Sequence, residues 1–201
     1  MKIIDNAYPG DGEAMGLIEH LPAVITPTIE GREHLLLECA ASVAAQTVSC
    51  SHHVYLDTER IGPAIIRNTI MVRLSCEYVA FLDDDDLIDP DHIEQLSYAM
   101  EAGADLAFSW YRSKGAPETE RVQQWDDYAW GVMLGGRNLV PVTVMARREA
   151  ILDSGGFDPA DRYEDYSLWM RMLERGYYFH VVPRETWTYR MLGGNRTHLP
   201  A

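Results

Sequence analysis

Residues 78–96 read YVAFLDDDDLIDPDHIEQL. Five apolar or aromatic residues run straight into Asp83, Asp84, Asp85 and Asp86, and a Pro-led helical pattern follows. Such an apolar run, short and ended by turn residues, reads as a buried strand. Asp89 reads as the cap of the next helix, Pro90 as its first residue and Gly103 as its stop. Four adjacent carboxylates repel one another, so their place at the end of a buried strand calls for a counter-charge.

Working outward, the same alternation recurs. AVIT (23–26) is a short strand, and LLLECAASVAAQTV carries Leu36, Ala40, Val43 and Ala44 at helical spacing. HVYL is a second strand ending at Asp57, and GPAIIRNTIMVRL a helix with Ile65, Ile66, Thr69, Ile70 and Leu74 on its apolar side. Beyond residue 104 come the strand ADLAFSWYR, an irregular stretch over 118–138 rich in Trp and Gly, the strand LVPVTVMAR, two helices (REAILDSGG, EDYSLWMRMLERG) and the strands YYFHVVP and TWTYRM. Alternating strands and helices predict an α/β fold, a mostly parallel central sheet flanked by helices. The expected division is an N-terminal arm over 1–20, one domain over 21–192 (halves at about 21–104 and 105–192), and a tail or lid over 193–201.

In an open parallel sheet, ligands bind beyond the carboxyl ends of the strands. Asp57 and the Asp83–Asp86 run both fall there. Alternate residues of an extended segment point the same way, so Asp83 and Asp85 can converge, or Asp84 and Asp86 on the other side. Unneutralised, such a pair repels by several kcal/mol, roughly, in a partly buried site. Mg²⁺ or Mn²⁺ removes that penalty and brings substrate phosphates with it.

The net charge of −14 over 201 residues makes nucleic acid a poor partner. Cys39, Cys50 and Cys76 are odd in number, and no CxxC occurs, which argues against a disulfide framework or a zinc knuckle. All three read as buried thiols, and His52-His53 as surface residues. No stretch is apolar enough for a signal peptide or a membrane span, so a cytoplasmic protein is expected.

VAFLDDDDLIDPDHIEQL resembles the DXD segment of family-2-type glycosyltransferases of the GT-A fold. AVITPTIEGREHLLLECAASVAAQTV is similar to their first strand and helix, GPAIIRNTIM to their Arg-Asn helix, and ARREAILDSGGFDPADRYEDYSLWMRMLERGYYFHVVP to their acceptor segment. Four such pieces, in order, span about residues 22–192. The resemblance implies a single-domain GT-A fold and a metal-dependent, inverting, hexosyltransferase-type enzyme. The implied donor is a UDP-, GDP- or TDP-type sugar, and the acceptor a hydroxyl on a glycan, protein or small molecule.

It also implies roles. Asp57 matches the contact to the nucleotide base and Arg67 a helix residue near the diphosphate, with Thr26 and Arg190 placed beside the donor. Asp83 and Asp85 match the DXD pair, with Asp85 as direct metal ligand and Asp84 reaching the ribose. Asp165 matches the catalytic base. Trp125, Trp130 and Glu164 fall where the acceptor is held. His198 is a candidate third metal ligand on the tail.

Local physics bears on the base. Asp161 and Glu164 have capping-box spacing. Asp165 then lies three and four residues before Leu168 and Trp169 and shares their inward face. A helix N-terminus favours its ionised form, the form a general base needs. Two other readings compete. A nucleotidyltransferase would need a Gly- and Arg-rich phosphate loop, where TPTIEGREH has one of each. An inactive sugar- or nucleotide-binding module would need no base.

Overall fold

The structure is a computed structural model that describes residues 3–5, 21–115 and 133–192. Its strands are β1 (Ile3–Asp5), β2 (Ala23–Thr28), β3 (Ser51–Leu56), β4 (Tyr78–Phe81), β5 (Leu87–Ile88), β6 (Leu106–Lys114), β7 (Val144–Arg147) and β8 (Phe179–Arg190). Its helices are α1 (Glu33–Ala44), α2 (Pro63–Arg73), α3 (His92–Glu101), α4 (Arg148–Asp153) and α5 (Glu164–Glu174). The strands form one sheet in the order β1-β3-β2-β4-β7-β6-β8-β5. β3, β2, β4, β6 and β8 point one way, and β1, β7 and β5 run against them. The mostly parallel α/β sheet flanked by helices is therefore present.

Successive residues of a strand face opposite sides, and here both sides are dry. Ala23, Ile25, Val79, Phe81, Leu106, Phe108, Val144 and Ala146 pack into one core with Ile66, Ile70, Ile151, Leu168 and Trp169 of α2, α4 and α5. Val24, Ala80, Leu82, Ala107 and Met145 pack into the other with Cys39, Val43, Ile93, Leu96 and Met100 of α1 and α3. Burial on both faces is why the central strands read as unbroken apolar runs. Phe157 meets Phe81 edge-on at 5.1 Å and Trp169 at 6.0 Å, which ties the loop before α5 to β4.

Several local expectations need correction. The third helix begins at His92 with Asp91 as its N-terminal flank, and Asp89 does not cap it. The Asp89 carboxylate instead receives the Arg112 guanidinium, while its carbonyl accepts from His92 N at 3.0 Å. Gly103 does end the helix, at φ +103, with its N–H on the Met100 carbonyl at 3.0 Å. The two C-terminal strands are one twelve-residue strand, β8, because Pro183 is absorbed at an irregularity in its pairing with β6. His52 and His53 lie in β3, half-buried. Cys39, Cys50 and Cys76 are free thiols; burial pushes Cys39 up to about 12 and Cys50 to about 11. Among the described residues, no helix is long and apolar enough to cross a membrane.

Candidate active site

The site lies at the carboxyl ends of β2, β3 and β4, where the main chain leaves the sheet. After β4 the chain turns at once: the Asp86 N–H bonds the Asp83 carbonyl at 3.1 Å. The acidic run is therefore not extended, and its side chains do not alternate. Asp83, Asp85 and Asp86 each offer a carboxylate oxygen, and these atoms lie within 4.8 Å of one another. Asp84 is not one of these three. It is buried, takes the Thr28 hydroxyl at 2.6 Å and pairs with Arg32 at 2.7 Å. Through these two contacts Asp84 ties the turn to β2 and to the start of α1.

Three arginines serve this turn. Arg32 bridges Asp84 and Asp85 from the start of α1. Arg67, on the buried face of α2, donates to Asp83 at 2.6 Å and lies 3.5 Å from Glu164. Arg190, at the end of β8, gives its backbone N–H to Asp86 at 2.9 Å; its guanidinium bonds the Asp85 carbonyl and Glu38. Arg190 thus ties the turn to the end of β8. Even so, burial raises Asp84, Asp85 and Asp86 above the ordinary carboxylate range, Asp86 most, and the Asp83 charge adds to this. Hard oxygen donors held this close, with their charge under-compensated, suit Mg²⁺ or Mn²⁺. Asp83 and Asp85 fit such an ion.

Asp57 follows β3 and is buried. Its two carboxylate oxygens accept from the Ile61 and Gly62 N–H groups, each at 2.9 Å, shaping the loop into α2. Gly62, at φ +92, can take that backbone where a side chain would be strained. Thr26 is not brought to the site. It is fully buried in β2, and its hydroxyl meets His52 Nε2 at 2.9 Å. Thr28, two residues on, is the threonine that reaches the acidic turn.

The far wall is built by α2 and the segment leading into α5. Asn68 clamps Phe157 through both backbone groups, accepting its N–H at 2.9 Å and donating to its carbonyl at 2.7 Å. Gly156 sits at φ +68, and a Cβ there would lie 2.7 Å from Asn68 Oδ1. The Arg-Asn and Gly-Gly-Phe stretches are thus two halves of one joint. Glu164 opens α5, buried against Arg67, and Asp165 follows half-buried.

Asp165 accepts from the Tyr166 N–H at 2.8 Å and from Asn138 Nδ2 at 2.9 Å. Burial raises its carboxyl, Glu164 adds to the rise, and the Tyr166 N–H and Arg67 oppose it. The expected capping box is absent. Asp161 spends its oxygen on the Tyr163 N–H at 2.8 Å, two residues on, and α5 has no side-chain cap. Trp125, Trp130 and His198 lie outside the described residues.

Sequence reasoning missed Thr28, Arg32, Glu38, Asn68 and Asn138 as members of this site. Arg32 and Asn68 stand in stretches already singled out, TPTIEGREH and GPAIIRNTIM, but no local period marks a side chain whose partner is 53 or 89 residues away.

Known proteins share this fold. Residues 51–146 match the family described as Glycosyl transferase family 2. A curated relative, "Putative teichuronic acid biosynthesis glycosyltransferase TuaG" of Bacillus subtilis (strain 168), is 27% identical over 150 residues, 72% of this chain. The chain spans 58% of that relative's length. Among solved structures, S. aureus TarS 1-349 in complex with UDP-GlcNAc superposes with a TM-score of 0.72 at 16% identity, over 90% of this chain and 62% of that one. The mannosyltransferase PcManGT from Pyrobaculum calidifontis, in complex with GDP-Man and Mn²⁺, gives 0.61 at 16% identity, over 84% and 56%. Residues 51–146 match glycosyl transferase family 2, and the chain shares the GT-A fold of these solved structures.

Proposed function

We propose that the protein is a metal-dependent, inverting glycosyltransferase that moves a sugar from a nucleotide-diphosphate donor to an acceptor hydroxyl. The observation that carries this reading is Arg67, which ties the acidic turn at Asp83 to Glu164, the neighbour of Asp165. One buried guanidinium thereby holds together the candidate cation-binding carboxylates and the helix start that carries the candidate base. The donor complexes of the two solved neighbours support a nucleotide sugar as the substrate class.

Asp83 and Asp85 would hold Mn²⁺ or Mg²⁺, and such an ion supplies Lewis-acid stabilisation of charge on a leaving diphosphate. The loop ordered by Asp57 shapes the side on which the nucleotide base would lie. Asp165 takes the proton from the acceptor hydroxyl, for which its raised affinity for protons is an asset, provided it stays ionised at working pH. The hydroxyl oxygen forms its bond to the anomeric carbon as the bond to the diphosphate oxygen breaks on the opposite face. One displacement inverts the configuration and leaves the proton on Asp165. Residues of about 21–104 serve the donor and 105–192 the acceptor, with Trp125 and Trp130 as candidate stacking faces for it and His198 as a further ligand.

The test is donor turnover. UDP-, GDP- and TDP-sugars are incubated with the protein and Mn²⁺, and release of the nucleoside diphosphate is followed by phosphorus NMR. The reading expects slow hydrolysis of one donor class, abolished by chelator and by Asp165→Asn. Turnover indifferent to both would overturn it.

A further inference from the structure

The three arginines on the acidic turn are not equivalent. Side chains of Arg67 and Arg190 are 3% and 7% exposed, and that of Arg32 is 32% exposed. Arg67 lies under the Phe157 ring, 5.3 Å from its centroid, and Arg190 is held through its backbone as well as its guanidinium. Both are fixed parts of the wall. Arg32 has its main chain anchored, since its carbonyl accepts from Leu35 and Leu36 at 3.0 Å each at the start of α1. Its side chain alone reaches over to Asp84 Oδ1 at 2.7 Å and to Asp85 Oδ2. A long arm on a fixed base, a third open to solvent, has a freedom to move that the other two lack, and Asp84 keeps the Thr28 hydroxyl if it does.

Its position conflicts with the ion it faces. Asp85 Oδ2 receives the Arg32 guanidinium, and Asp85 belongs to the three-carboxylate cluster. A divalent cation on Asp85 would meet a positive group already in contact with the same carboxylate, and like charges at that range repel strongly in a partly buried site. We infer that Arg32 is a displaceable internal counter-ion: it keeps the cluster closed to a free divalent cation and makes metal binding conditional on a nucleoside diphosphate. The diphosphate gives the released guanidinium a new anionic partner, with two oxygens for its planar fork to bind. Metal and nucleotide then help each other bind by the same factor, because coupling between two ligands is reciprocal. This inference rests on the metal–diphosphate reading of the site.

The test measures bound Mn²⁺ directly, from loss of the free-ion electron paramagnetic resonance signal, with and without UDP, GDP or TDP. Wild type, Arg32→Gln and Arg32→Lys are compared, with circular dichroism confirming that each is folded. Glutamine stays polar but carries no charge; lysine keeps the charge but cannot span both carboxylates.

Wild type is expected to bind Mn²⁺ weakly alone and tightly with one nucleotide. Arg32→Gln should bind Mn²⁺ alone at least about tenfold more tightly than wild type and lose most of the nucleotide's enhancement, with Arg32→Lys in between. If wild type binds Mn²⁺ with a nucleotide but Arg32→Gln gains nothing for Mn²⁺ alone, the counter-ion role is wrong and the metal–diphosphate site stands. If no protein binds Mn²⁺ under any condition, both are overturned.

Discussion

Arg67 donates to Asp83 at 2.6 Å and reaches Glu164 at 3.5 Å, so a residue 3% exposed at its side chain joins two acidic segments more than eighty positions apart in sequence. Its planar guanidinium can address both at once, which the point charge of a lysine cannot. Arg67→Ala leaves Glu164 buried without this partner and should destabilise the fold by about 3 kcal/mol in urea titration. Arg67→Lys should recover part of that stability but little donor turnover. A lysine variant with wild-type turnover would show that charge alone matters.

The joint between α2 and the loop before α5 has its own signature. Asn68→Ala removes two hydrogen bonds to Phe157 and strands its half-buried backbone groups, at a cost of about 1–3 kcal/mol. Gly156→Ala places a Cβ 2.7 Å from Asn68 Oδ1 in a left-handed backbone and should cost a similar amount. Because both act on one contact, the double variant should be less destabilised than the sum of the singles. Simple additivity in chemical denaturation would separate the two.

Asn138 is a positioning residue for Asp165, through the 2.9 Å bond to its carboxylate. Asp165→Asn should cut turnover by about 10²–10⁴ while donor binding is kept. Asn138→Ala should lower kcat less, leave donor KM unchanged, and move the acid limb of the rate profile upward, since it removes a donor that favours the charged form. An unshifted limb with reduced kcat would point to a structural effect alone.

Stability should also carry the mark of His92. Its ring is buried, Nδ1 lies 2.6 Å from the Thr186 hydroxyl, and burial holds it at about 4 against an ordinary 6.5. Between those values the unfolded chain takes up a proton that the folded one refuses, so this histidine's contribution is full above 6.5 and is lost as pH falls towards 4. The slope is at most about 1.4 kcal/mol per pH unit. Asp84, Asp85 and Asp86 act with the opposite sign, since burial raises them and the folded state holds their protons more readily. Comparing wild type with His92→Gln isolates the histidine: the variant should lose less stability between pH 6.5 and 4. Equal losses would place the acid sensitivity elsewhere.

Much of this was legible in the sequence, and the failures share a cause. Periodicity located α1, α2 and α5 and the apolar strands β2, β4 and β6, because burial on both sheet faces leaves its pattern in adjacent residues. Alternation allows Asp83 to converge with Asp85, or Asp84 with Asp86, but Asp86 joins Asp83 and Asp85 because the chain turns at Asp84. Asp89 and Asp161 both look like helix caps. Each has its carboxylate taken by another group, the Arg112 guanidinium for one and the Tyr163 N–H for the other. Capping rules presume where a helix begins, and both helices begin later than the pattern implies: Asp89 is taken by Arg112 of β6 before a helix that starts at His92, and Asp161 by the Tyr163 N–H before one that starts at Glu164.

The central claim is that Asp85 belongs to a metal–diphosphate site. Calorimetric titration of UDP, GDP, TDP and CDP, each with Mn²⁺ and again with chelator, on wild type and Asp85→Ala, tests it most directly. The account predicts that one nucleotide binds wild type only with metal, and that Asp85→Ala abolishes this binding while remaining folded. Binding that is unchanged by chelator, or retained in Asp85→Ala, would contradict it.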